Sequence, residues 1–234
     1  QSESPLQASP NYYDQQKTET VIPEQNVESP EAKNVVPETQ VSETEIKKDV
    51  LPEKIYLNVP FMVQAPGANW DAIHEEACEE ASLIMLYHYI KNTAIGEPNK
   101  ALDEVLQYEN QHEYPISITL SQLNEIARSF YGLKNGRVEK NISIDDIKKE
   151  LSAGKPVIVG AAGKILPNPN FRNGGPNYHM LVIIGYDKKG FITNDPGTRK
   201  GKDFRYTENA LFNAIHDWNP QEILKGEKNY LVFD

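Results

Sequence analysis

The sequence predicts an α+β domain, with helices first and an antiparallel sheet after them, behind a leading segment that does not fold by itself. Three observations carry this. Apolar residues recur at a helical period up to about residue 152, and β-branched runs dominate from residue 155 onward. Two of those runs, "YHMLVIIGYD" (178–187) and "GFITNDPG" (190–197), meet at Asp-Lys-Lys-Gly, a tight hairpin signal. Residues 1–54 differ in kind from the rest: eleven acids against five lysines, a net of −6 out of the chain's −10, and no Trp, Phe or Gly. Such a stretch has too little apolar surface to offset the entropy of ordering. It is expected to be a disordered acidic tail or stalk, leaving residues 55–234 as one domain with a core of its own.

Each element has a local reason. "KIYLNVPFMVQAPGANW" (54–70) reads as a short strand and then a loop broken by Pro66 and Gly67. From about Glu75 to Ile90 the spacing is helical, with Cys78, Ala81, Met85 and His88 or Tyr89 on one stripe. "EPNKALDEVLQYEN" (97–110) and "TLSQLNEIARSFYG" (119–132) are two further amphipathic helices, the second capped at Ser121 and stopped by Gly132. In "SIDDIKKELSAGKP" Ser143 and Asp146 imitate a capping box, Ile147 and Leu151 face inward, and Gly154 ends the helix. "KPVIVGAAG" (155–163) is a strand. "ENALFNAIHDWN" is a short helix with Leu211, Ile215 and Trp218 inward, and "NYLVFD" is a closing strand.

Composition excludes some functions. An acidic balance argues against a nucleic-acid partner. No apolar run reaches 18 residues, so the domain itself is expected to make no membrane contact. "VIPE", "VVPE" and "VLPE" recur at Val21, Val35 and Val50, as biased composition in a spacer or as a degenerate repeat. A chain beginning at Gln1 with an acidic stalk fits an extracytoplasmic domain, secreted or tethered through a preceding segment.

The one cysteine, Cys78, forms no internal disulfide. Near a helix N-terminus its thiolate is favoured by the dipole and by free backbone amides, which suits a nucleophile. Position alone equally allows a small buried hydrophobe. Glu75, Glu76, Glu79 and Glu80 would raise its pKa, so a cation must stand near it. His179, at the start of the most apolar strand, can be that cation and take the thiol proton. Asp195, in "TNDPG", can accept from the imidazole and fix its tautomer, unless it only shapes the turn before Pro196. Gln64 carries an amide that can stabilise an oxyanion together with the Cys78 backbone N–H, and Trp70 packs nearby.

"VPFMVQAPGANW", "CEEASLIM", "YHMLVIIGYD" and "FITNDPGT", in that order, resemble the papain-like cysteine peptidases, and most closely the stand-alone relatives of the bacteriocin-processing, double-glycine leader peptidases. The resemblance spans roughly residues 55–234. The 16-residue spacing from His179 to Asp195 also matches that superfamily. It implies a papain-like fold and a peptide or protein substrate. It further implies Gln64 as oxyanion donor, Cys78 as nucleophile, His179 as general base, Asp195 as orienting acid, and no cofactor or metal. The leader peptidases usually carry Cys-Gly where this chain has Cys78-Glu79, and the transporter segments they precede are missing, so leader processing is not implied.

The hairpin sets a geometric condition. A type I turn starting at Asp187, with Gly190 left-handed, pairs Asp195 with Ile183. That leaves Asp195 four residues, roughly 13 Å, from His179 along the strand. For the two to meet, the hairpin must centre near Asp187, or a bulge must absorb the offset. Asn194 is the alternate third member. Three other readings stand beside the peptidase. A metal hydrolase would use the i, i+4 pair His74 and Cys78, with Glu75 as base. A binding module would use the same fold without catalysis. An acyl or peptidyl transferase would use the same triad. The basic stretch "TRKGKDFRY" (198–206) is either a substrate-facing loop or a solvated turn.

Overall fold

The computed structural model describes residues 50–234. Expectations for residues 1–49 therefore lie outside the described residues. Five helices pack on a seven-stranded sheet in which every pairing is antiparallel. The strands are β1 (Ile55–Tyr56), β2 (Gly136–Lys140), β3 (Val157–Ala162), β4 (Tyr178–Asp187), β5 (Gly190–Asn194), β6 (Phe204–Tyr206) and β7 (Asn229–Phe233). Their order is β2-β7-β3-β4-β5-β6, with β1 added to the far end of β4. No helix among the described residues is long and apolar enough to cross a membrane.

The helices are α1 (Cys78–Ile90), α2 (Pro98–Gln111), α3 (Leu120–Ser129), α4 (Ile144–Ser152) and α5 (Glu208–Ala214). They cover both faces of the sheet. Met180, Val182 and Ile184 of β4 join the core formed by α1, α2 and α3. Leu181 and Ile183 face the other way and join Ile147 and Leu151 of α4 with Leu211 of α5. From Met180 to Ile184 β4 is apolar on both faces because neither of them meets water.

Local signals act as expected at α4, where Ser143 and Asp146 cap each other reciprocally. At α3 the capping box is Thr119 with Gln122, two residues before the expected Ser121. α1 begins at Cys78 and not at Glu75. Residues Cys78 to Leu86 are buried all round, so this helix has no amphipathic stripe over its first turns and forms the centre of its core. β2 and β6 carry no clear sequence signal and were not expected. The described chain joins the domain by Pro52, whose carbonyl accepts from Tyr186 Oη at 2.8 Å.

Candidate active site

β4 and β5 bring His179 and Asp195 together. The hairpin closes on two residues, pairing Asp187 with Gly190. A register shift between Ile183 and Gly185 then moves β5 one further residue, so that Ile183 faces Thr193 and Val182 faces Asn194. Continuing that register puts Asp195 opposite Leu181, on the His179 face and diagonal to it, within reach of a ring. The expected pairing of Asp195 with Ile183 is corrected by two residues, one from the tighter turn and one from the bulge. Gly190 permits that turn, with φ +123° and Tyr206 O only 2.2 Å from where a Cβ would stand.

His179 and Asp195 are 1% and 0% exposed. His179 Nε2 meets Asp195 Oδ1 at 2.8 Å. Asp195 accepts three further hydrogen bonds: from Gly197 N at 3.0 Å, Tyr206 Oη at 2.6 Å and Asn168 Nδ2 at 3.0 Å. Burial alone would push this carboxyl up. His179 and the other donors outweigh it and hold Asp195 below the ordinary range, so it stays a carboxylate. Burial and the same carboxylate push the Tyr206 hydroxyl up, which keeps it a donor. Phe171 stands edge-on to the imidazole, ring centres 5.3 Å apart. At Gly197 a Cβ would lie 2.8 Å from His179 Cε1, so only glycine leaves room for the ring. His179 Nδ1 is buried and has no partner.

Cys78 is the first residue of α1 and is 4% exposed. Its thiol accepts from Met180 N, the residue after His179, at 3.3 Å, and donates to Glu79 Oε2 at 2.8 Å. Burial, and after it the Glu79 carboxyl, push the thiol well up. Glu79 is itself pushed up by burial and by Glu80, so the Cys78–Glu79 pair retains its proton near neutrality. The cation expected against the thiol is not among its hydrogen-bond partners, which are the Glu79 carboxyl and the Met180 amide.

Gln64 is buried at the head of a cavity of about 230 Å³ that also meets Trp70, Phe171, Arg172 and Gly197. Its Nε2 donates to His74 O at 2.9 Å and Glu75 O at 2.8 Å, while Oε1 has no partner. Those two carbonyls belong to the turn before α1, which is why the helix starts late. Asn194 lies away from the histidine: its Nδ2 donates to Val59 O at 3.0 Å and its Oδ1 accepts from Asp203 N at 3.3 Å. The metal-hydrolase pair is not assembled. His74 sits in the turn, not on the helix, and bonds Asp71 at 2.8 Å. Among the described residues no group of three or more His, Cys, Asp or Glu is placed to hold a metal.

Asn168, Phe171, Gly197 and Tyr206 were missed from sequence. Gly197 could have been found as the glycine closing "NDPG". The others come from loops and from β6, where residue type alone says nothing of what they face.

A cysteine at the head of a central helix, packed on a strand that carries a histidine bonded to an acid just past the end of the next strand, defines the papain-like cysteine peptidase class. The chain belongs to the Peptidase_C39 like family, whose model matches residues 56–222. Among solved structures it is similar to a protein described as a C39-like peptidase from Bacillus anthracis, with 19% identity and a TM-score of 0.53 over 78% of this chain and 98% of that one. That likeness is one of fold. No curated protein matches the chain.

Proposed function

We propose that the protein is a cysteine peptidase that cleaves peptide or protein substrates at Cys78 through a thioester acyl-enzyme. The observation that carries this is the buried His179–Asp195 pair, whose Nδ1 has no partner and whose histidine directly precedes Met180, the residue that donates its N–H to the Cys78 thiol. With Nε2–H donated to Asp195, Nδ1 keeps a lone pair and can act as base. Catalysis requires the thiol to leave Glu79 for His179 Nδ1, which takes its proton. The thiolate then attacks the scissile carbonyl carbon, and His179 returns the proton to the departing amine. Water, deprotonated by His179, hydrolyses the thioester and regenerates the thiol.

The oxyanion falls to the Cys78 backbone amide and to Gln64 Nε2. For that, Gln64 must release one of the two carbonyls it now holds, and bound substrate would supply the replacement acceptor. Asp195 orients and supports the imidazolium without taking the proton. The same groups would serve transfer to an amine acceptor, and the acceptor alone separates the two outcomes. A binding module on this fold would have no use for an unpartnered Nδ1 held by a four-donor carboxylate. The acidic stretch 1–54 is read as a spacer that presents the domain outside the cytoplasm.

The test is turnover of a mixed peptide library by the wild type and by Cys78→Ser, followed by mass spectrometry of new termini. New termini should appear with the wild type and vanish with the serine variant at unchanged thermal stability. Equal cleavage by both would overturn the proposal.

A further inference from the structure

The basic stretch that follows Asp195 takes no part in this chemistry. Of its cations, Arg205 is paired with Asp187 at 2.9 Å. Arg199 and Lys200 are exposed and form no ion pair among the described residues. They stand on a turn that is tied to Asp195. Gly201 N donates to Thr198 O at 3.0 Å, and Asp195 N donates to Gly201 O at 2.9 Å. Gly201 packs so closely on the Asp195 carbonyl that a Cβ has no room there. Arg199 and Lys200 line a cavity of about 410 Å³ together with Trp70, Pro169, Arg172 and Gly197. The domain is acidic overall, yet no residue lining this cavity is an acid. Trp70, Arg172 and Gly197 also line the cavity headed by Gln64, so the two adjoin. Among the described residues Arg172 pairs with Glu75 alone, at 3.6 Å, in a contact exposed on both sides and therefore weak.

In the reaction above His179 gives its proton to the departing amine, so the departing fragment lies on the imidazole side of the scissile bond. Gly197 flanks that imidazole, and the basic cavity starts at Gly197. We propose that this cavity binds a carboxylate of the departing fragment, supplied by an acidic side chain or by the fragment's own C-terminus. The guanidinium groups of Arg172 and Arg199 and the Lys200 ammonium donate N–H groups to the carboxylate oxygens. Trp70 covers the apolar part of the fragment. Three cations around one cavity repel one another, and a bound anion relieves that repulsion. The enzyme therefore prefers peptides that carry a carboxylate shortly after the scissile bond, and the basic stretch is a substrate-facing loop. That the ligand is a departing peptide fragment rests on the peptidase reading.

The test is binding, so that it stands apart from turnover. The full chain carrying Cys78→Ser is titrated with tripeptides that have a free N-terminus, as a departing fragment does. Ala-Ala-Glu amide is set against Ala-Ala-Gln amide, and Ala-Ala-Ala acid against Ala-Ala-Ala amide, following the indole N–H resonance of Trp70. In at least one pair the carboxylate peptide should bind about tenfold or more tightly than its uncharged counterpart, as expected for hydrogen bonds to a charged group. A preference in the first pair alone assigns the site to an acidic side chain, in the second alone to a C-terminus, and in both to either. Arg199→Glu combined with Lys200→Glu, at exposed positions where folding is not at risk, should abolish the preference. Equal binding within both pairs, an unmoved Trp70 resonance, or a preference that survives the double variant would overturn the site and leave cleavage at Cys78 untouched. Loss of cleavage with this binding intact would overturn the peptidase reading and leave a carboxylate site.

Discussion

At the scale of single residues, the site is decided by which group holds the Cys78 proton. Glu79 and burial together keep it on sulfur. Glu79→Gln removes one of those two causes, so the thiol should ionise at lower pH. Iodoacetamide alkylation at pH 7 should then be roughly tenfold faster than in the wild type, in line with a shift of about one unit from a neighbouring charge. An unchanged rate would mean that burial alone sets the pKa. Asp195 calls for a different choice of variant. Asp195→Ala strips the acceptor from His179, Gly197, Tyr206 and Asn168 at once, at a cost of about 3–5 kcal/mol. It would report unfolding, not catalysis. Asp195→Asn preserves the shape and weakens the hold on the His179 tautomer, so kcat should fall by orders of magnitude while the protein still folds cooperatively. Thermal melts beside the kinetics separate the two effects.

At the scale of elements, the hairpin and the head of α1 do the positioning. The bulge at Ile184 and the two-residue turn bring Asp195 under the ring, and Gly197 leaves the ring its space. Gly197→Ala should displace the imidazole, cutting kcat at least tenfold with a melting temperature near that of the wild type, measured on the same preparation. Much of this was legible. "SIDD" states its own capping box, and "KPVIVGAAG" and "NYLVFD" state their strands, because those signals are local. The residue types and order of Gln64, Cys78, His179 and Asp195 suggested one site, and of these the structure pairs His179 with Asp195. What stayed hidden depended on distant partners. Glu75 to Glu80 look uniformly helical, yet Gln64 holds the carbonyls of His74 and Glu75 and fixes the helix start at Cys78. β6 lay inside a basic stretch, and its Tyr206 matters only because Asp195, the residue after β5, lies beside it. That helices cover β4 on both faces stayed hidden as well, because the apolar run does not say which elements pack on it.

At the scale of the whole molecule, the buried acids set the response to pH. Burial, with help from Glu80, pushes Glu109 from 4.5 up to about 11. A carboxyl raised on folding holds in the native state a proton that the unfolded chain releases, so its contribution is full below pH 4.5 and falls as pH rises toward 11. Asp195 acts in the opposite sense, since its lowered pKa contributes stability above the unfolded value that is lost on acidification. Glu109→Gln should therefore be more stable than the wild type at pH 8 by about 1–3 kcal/mol and lose that advantage near pH 4, as read by urea unfolding at the two pH values. Covalent labelling by a peptidyl acyloxymethyl ketone, followed by peptide mapping, tests the central claim most directly, because it reads thiol activation by the histidine in one step. The wild type should be modified at Cys78, and His179→Ala should react at least about a hundredfold more slowly, the scale of a lost general base. Equal labelling of the two proteins, or modification only after denaturation, would contradict a Cys78–His179 catalytic pair.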